Sequence, residues 1–164
     1  KKHPLYTDVS QADLQEQFTL AIQIRDKVTE ANNAVIQIRS IKSQVTDRLA
    51  KSADARLKET GDVLTKNASG VEEDVYQVRN QSGQDPLNFP IKINNRLASL
   101  LSVVSRGDGK PIANAAPIFR DLSNELKVQT DRLLLIIKID LAAFNAEARR
   151  LGLEPVAATP PIRM

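Results

Sequence analysis

The sequence predicts an all-α protein, an antiparallel up-down-up-down four-helix bundle with long first and last helices and a Pro-rich C-terminal tail. Three observations carry this. Apolar residues recur in heptad phase over most of the chain. Neither Gly nor Pro occurs between Ser10 and Gly61. Aromatic residues are only 4% of the 164 residues, with no Trp and only 6 Gly, which argues against sandwiches and barrels built from turns and aromatic strands.

The first helix is expected over about 10–48, with Ser10 and Asp13 at capping-box spacing. One inward row is Ile24, Ala31, Ile38 and Val45; the other is Ala21, Val28, Val35 and, beyond Lys42, Leu49. Phe18, Ile22, Ile36 and Ile41 widen this stripe to bundle-core width. A phase break between Leu49 and Leu57 places a turn near Ser52-Ala53-Asp54. The second helix, about 55–81, carries Leu57, Leu64, Val71 and Val78 in one row and Gly61, Ala68 and Val75 in the other. Small residues there permit close helix approach, while Ser69-Gly70 is a candidate kink. Residues 14–51 hold six basic and four acidic side chains, residues 54–85 four and seven, so the two helices are complementary. Asp47–Lys51, Asp54–Lys58 and Asp62–Lys66 stand at the favourable i,i+4 order.

The polar loop through Gly83, Pro86 and Pro90 leads to a third helix at about 91–105, with Ile93, Leu97, Leu100, Leu101 and Val104 inward. Arg106-Gly107-Asp108-Gly109-Lys110-Pro111 is the next turn. The fourth helix, about 112–151, takes Pro117 in its first turns and ends at Gly152. Its core candidates are Phe119, Leu122, Leu126, Leu133, Ile137, Phe144 and Ala148. The bundle domain is therefore 1–152 and the extended tail 153–164, disordered or laid over the bundle. Short connections imply antiparallel neighbours, and a short third helix implies one end with fewer helices and exposed apolar surface.

Composition excludes much chemistry. With no Cys, thiolate metal sites, iron–sulfur clusters and cysteine nucleophiles are absent. His3 is the sole histidine, which removes di-metal Glu-x-x-His sites and an interior Ser-His-Asp triad; His3 and Met164 are poor haem ligands at opposite termini. No Ser-x-x-Lys pair occurs. The Gly107–Pro111 turn lacks the P-loop pattern and joins two helices. We assign no catalytic, cofactor or metal residue. Glu72-Glu73-Asp74 reads as a solvated face, as do the basic positions Arg25, Lys27, Arg39, Lys42, Arg48 and Lys51, which alternate with acids and lack stacking aromatics. The net charge of +3 is mild for a nucleic-acid binder. Leu133-Leu134-Leu135-Ile136-Ile137 is ended by Lys138, far short of the roughly 20 apolar residues of a membrane span. The chain starts Lys1-Lys2-His3-Pro4 and reads as a fragment or processed product. Asn67-Ala68-Ser69 and Asn80-Gln81-Ser82 match a glycosylation pattern common by chance.

One stretch differs from the rest: Asp85-Pro86-Leu87-Asn88-Phe89-Pro90-Ile91-Lys92-Ile93-Asn94-Asn95. Two prolines stiffen the approach to a helix, Leu87 and Phe89 can plug the bundle end, and Asn94 and Asn95 can satisfy loop carbonyls. A self-bonded helix cap is favoured over a binding site, and Asp85, Pro86, Asn88, Phe89, Pro90, Lys92, Asn94 and Asn95 are the structural or interaction motif. This motif resembles the C-terminal helical region of large bacterial proteins with sortilin-like β-propellers, labelled as glycosyl hydrolases with Asp-box (BNR) repeats. Leu20–Asp26 and Ala34–Arg39 resemble the preceding helix of that region, and Asp140–Asn145 its final helix. The resemblance implies an exported protein with a propeller N-terminal to Lys1 and any hydrolase site in that propeller. It also implies a non-catalytic helical domain that docks on the propeller or presents a surface to a protein partner. The alternative is a free-standing adaptor or oligomerising bundle, with nucleic-acid binding through the first helix the weakest option.

Overall fold

The computed structural model describes residues 8–80 and 87–158. Those residues form an all-α four-helix bundle whose first and last helices are the long ones, as the heptads require. The elements are α1 (Gln11–Leu49), α2 (Ala55–Val75), α3 (Ile93–Val104), α4 (Ala115–Ile136) and α5 (Ala142–Arg150). A π-helical turn, Ile137–Leu141, joins α4 to α5 into one continuous helix. Residues 1–7, 81–86 and 159–164 lie outside the described residues, and with them His3, Asp85, Pro86 and the last part of the tail.

Helix boundaries follow local chemistry. Ser10 and Asp13 form a reciprocal capping box, each side chain accepting the other's backbone N–H. Asp54 caps α2 by accepting from the N–H groups of Arg56 and Leu57, both at 3.0 Å. This use of Asp54, with an ion pair to Arg150 at 2.7 Å, replaces the expected Asp54–Lys58 pair. Among the described residues the Asp47–Lys51 and Asp62–Lys66 pairs are not made either. The α2 helix continues through Ser69 and Gly70 and stops at Val75, earlier than the expected 81. Tyr76 leaves it extended, its ring 4.9 Å from the Arg39 guanidinium. Val78 therefore falls outside the helix and is exposed. At the other end of the chain, Gly152 (φ +70°) ends α5 with a Schellman motif: Gly152 N–H donates to Arg149 O and Leu153 N–H to Ala148 O.

The inward rows are the expected ones. Ile24, Ala31, Ile38 and Val45 are buried, as are Leu57, Leu64 and Val71, and Gly61, Ala68 and Val75. In α3 and beyond, Ile93, Leu97, Leu100, Val104, Leu122, Leu126, Leu133, Phe144 and Ala148 join them. Phe18 and Ile36, assigned to the wider stripe, are instead exposed, because the core-facing arc of α1 is narrower than a four-sided bundle would need. Gly61 serves a close approach: a Cβ there would meet Leu49 of α1 and Phe144 of α5 at 3.2 Å.

Polar cross-links reveal how the helices run. On α1, Arg39 and Lys42 meet Glu72 of α2, Asn32 meets Asn94 of α3, and Gln17 reaches the Val104 and Gly107 carbonyls at the end of α3. Numbers fall along α1 as they rise through α2 and α3. The last helix shows the same ladder: Arg150–Asp54, Asp140–Asn67, Arg132–Asp74 and Glu125–Arg96. Thus α2 and α3 lie one after the other, both antiparallel to α1 and to the last helix. Together they match the length of their long neighbours. Because α2 and α3 run parallel, the expected up-down-up-down alternation is not made: the order is α1 up, α2 and α3 down, the last helix up. A short α3 therefore leaves neither end short of helices, contrary to the expectation from its length alone.

The π turn has a sequence cause. Leu126 to Leu133 is seven residues and Leu141 to Ala148 is seven, but Leu133 to Leu141 is eight. An unbroken α-helix would carry Asp140 into the buried row. The wider turn takes up the extra residue, keeps Leu141 and Phe144 inside and sends the Asp140 carboxylate to the Asn67 amide at 2.8 Å. Deleting Ile139 is therefore expected to convert the turn to regular α-helix at a cost below about 1 kcal/mol. Deleting Gln129, which rotates every later core side chain by about 100°, is expected to cost several times more or prevent folding. Thermal melts of the two deletion variants check this; equal losses would remove the phase argument.

Candidate functional site

Three clusters of polar side chains hold this bundle together, and each draws on different elements. The first contains Glu72, only 5% exposed although it was expected on a solvated face. It sits on α2 one position after the buried Val71 and faces α1, where Arg39 Nε donates at 2.6 Å and Lys42 Nζ at 3.0 Å. Burial pushes its carboxyl up, but the bonds and charges of Arg39 and Lys42 outweigh this and hold it below the ordinary glutamate value. Glu73 is solvated as expected, and Asp74 pairs with Arg132 at 3.3 Å. The basic residues of α1 are mostly engaged: Arg25 with Asp26, Lys27 with Glu30, Arg48 with Glu154.

The second cluster contains residues 87–95 of the Asp85–Asn95 motif, which lie beside the middle of the bundle, where α2 gives way to α3, and not at its end. Gln77 Nε2 donates to the Pro90 carbonyl at 2.8 Å and ties the segment after α2 to the segment before α3. Leu87 is 88% exposed and plugs nothing, a correction to the expected role: its side chain lies in solvent and not against the core. Phe89 is half-buried beneath the Arg79 guanidinium, 5.8 Å away. Asn88 and Pro90 are exposed, and Lys92 is the residue before α3, without a side-chain cap bond. Asn94 is buried, accepts from Asn95 N–H at 2.8 Å and donates to Asn32 at 3.3 Å. The motif thus brings Phe89, Pro90, Asn94 and Asn95 to the junction, and the Asn94 amide bonds Asn32 and the Asn95 N–H rather than the loop carbonyls expected of it, the Pro90 carbonyl being taken by Gln77.

The third cluster, which the sequence reading missed, holds the tail. Residues 153–158 run extended over α1 and α5. Asn145 of α5 accepts from Val156 N–H at 2.7 Å and donates to Val156 O at 2.9 Å. Gln44 of α1 treats Ala157 the same way, both bonds at 3.0 Å. Arg48 Nε donates to the Glu154 carbonyl at 3.0 Å. The Val156 side chain is 3% exposed and belongs to the core.

Chemically, these clusters are ties between elements. A hollow of about 330 Å³ between α2 and α5 is lined by Arg56, Glu59, Thr60, Val63, Asp140, Ala143 and Glu147, with Asp140 already bonded to Asn67. Among the described residues no group of three or more His, Cys, Asp or Glu is placed to hold a metal ion. No helix among them is long and apolar enough to cross a membrane. Comparisons with protein-family models, with curated proteins and with solved structures find no match.

Glu72 makes a pH prediction. Its carboxyl, lowered in the folded chain, contributes stability that is present above the unfolded-chain value and is lost as pH falls from about 4.5 through the folded value. Glu72→Gln is expected to cost about 1–3 kcal/mol at pH 7, with the difference from the parent shrinking below pH 4.5. Urea unfolding of both proteins across pH 3–7 measures this; a pH-independent difference would refute the assignment.

Proposed function

We propose that this chain is a non-catalytic helical structural and interaction domain, from the C-terminal end of an exported sortilin-like propeller protein, that docks on the β-propeller of the same polypeptide. One observation carries the reading of an interaction domain. On the outer face of the last helix, Val128, Leu135 and Ile139 follow each other at spacings of seven and four, with Leu134 beside them, and each is 57–63% exposed. Single exposed apolar residues are ordinary, but four large aliphatics grouped on one face mark a contact surface. The likeness of Asp85–Asn95 to the helical region of propeller proteins supports the choice of partner and the exported location. The chain's polar side chains support the absence of catalysis in a positive way: Glu72, Asn94, Asn145, Gln44 and Asn67 are spent on holding elements in register. The reading requires neither a cofactor nor nucleic acid.

The test combines light scattering with binding to the separately produced propeller. The expected result is a monomer that binds the propeller, with at least tenfold weaker binding after Val128→Lys and Leu135→Lys. Surface changes of this kind are expected to leave stability within about 0.5 kcal/mol. A tight dimer dispersed by the same two changes would establish the oligomerising bundle instead. Turnover of a glycoside or peptide by this chain would defeat the non-catalytic reading.

A further inference from the structure

The clamp on residues 153–158 reads main chain, not side chains. In an extended segment the N–H and C=O of one residue point to one side and those of the next residue to the other. Asn145 takes both groups of Val156 and Gln44 takes both groups of Ala157, from opposite sides. A carboxamide presents its oxygen and one N–H along the same edge, so it can accept from the N–H and donate to the C=O of a single residue at once. Each amide therefore replaces the residue that would face it in an antiparallel ladder. Arg48 adds a third main-chain contact at Glu154, and Pro155 has no N–H to satisfy. Beyond the exposed Arg48–Glu154 ion pair at 3.6 Å, two features depend on side-chain identity. The residue at 156 must fill a closed apolar site, and Leu153 and Ala158 pack at its edge.

From this geometry we infer that the groove between α1 and α5 is a binding site for an extended peptide segment with a small branched aliphatic residue, and that residues 153–158 occupy it as an internal ligand. Recognition of this type adds a strand to a fixed partner, main-chain bonds giving affinity and one pocket giving selection. Here two side-chain amides on helices stand in for the sheet edge. The tether supplies an effective concentration on the order of millimolar, so a segment in trans enters only when the tail lifts. Gly152, at φ +70° with open space around it, is the joint about which the tail leaves the end of α5. The site is separate from the aliphatic face of α4, and its test does not depend on the propeller.

The probe is a fluorescent hexapeptide with the sequence of residues 153–158, titrated against the full chain and followed by anisotropy. Two variants unseat the tail. Val156→Asp cannot fill the apolar site, and Ala157→Pro removes one N–H at an exposed position, so that folding is not at stake in both. Each is expected to bind the hexapeptide at least tenfold more tightly than the parent. Adding Gln44→Ala or Asn145→Ala to either is expected to weaken binding at least fivefold with the helical circular dichroism retained. A hexapeptide N-methylated at the position of Val156, which keeps every side chain, is expected not to bind. Equal binding to the parent and both variants, no binding to either unseated variant, or indifference to N-methylation would overturn the assignment.

Discussion

The structure depends on one face of α1. Ile24, Ala31, Ile38 and Val45 are all but fully buried, and burying an Ile or Val side chain contributes about 1.5–3 kcal/mol relative to exposure. The same face must accept two different partners, α2 along its C-terminal half and α3 along its N-terminal half, while the last helix closes the third side. A heptad row unbroken from Ile24 to Val45 makes this sharing workable. Each partner presents its own short row, and neither has to be continuous with the other.

Apolar rows hold helices together but set their register weakly, since sliding by a heptad restores most contacts. The polar ladders supply the register. Exposed ion pairs are individually worth about 0.2–1 kcal/mol, too little to compete with the core. Spread along both seams, from Gln17 at the Val104 carbonyl to Arg150 at Asp54, they distinguish one axial position from its neighbours. Glu72 is the strongest of these ties because it is buried and bonded by two cations. The tail is a second layer of the same device, its amide clamps joining α1 to α5 through a strand that belongs to neither.

Local patterns made much of the architecture legible. The Ser10 cap, the turn before Ala55, both rows of α1, the rows of Leu57 and Gly61, and the Gly152 stop all follow from interactions within a few residues. Expectations that depended on distant contacts fared differently. Glu72 reads as surface in an acidic triplet, since nothing nearby in the chain announces Arg39 and Lys42. Leu87 reads as a plug because an apolar residue between prolines gives no sign of which way its loop faces. Asn145 and Gln44 look like ordinary helix polars, because their partner is main chain, which carries no sequence signature. The eight-residue step from Leu133 to Leu141 was in the sequence, yet its resolution as a π turn rests on both flanking rows being held at once.

The amino-acid sequence by itself determined that this protein is helical, where its helices start and, apart from the end of α2, where they stop within a few residues, and which side of each is apolar, because capping and periodicity are short-range. Tertiary structure alone decided that α3 continues the line of α2, that a carboxylate is buried at Glu72 and that the tail lies clamped between α1 and α5. Those outcomes require surfaces far apart in the chain to meet, and their energies exist only once the helices have assembled.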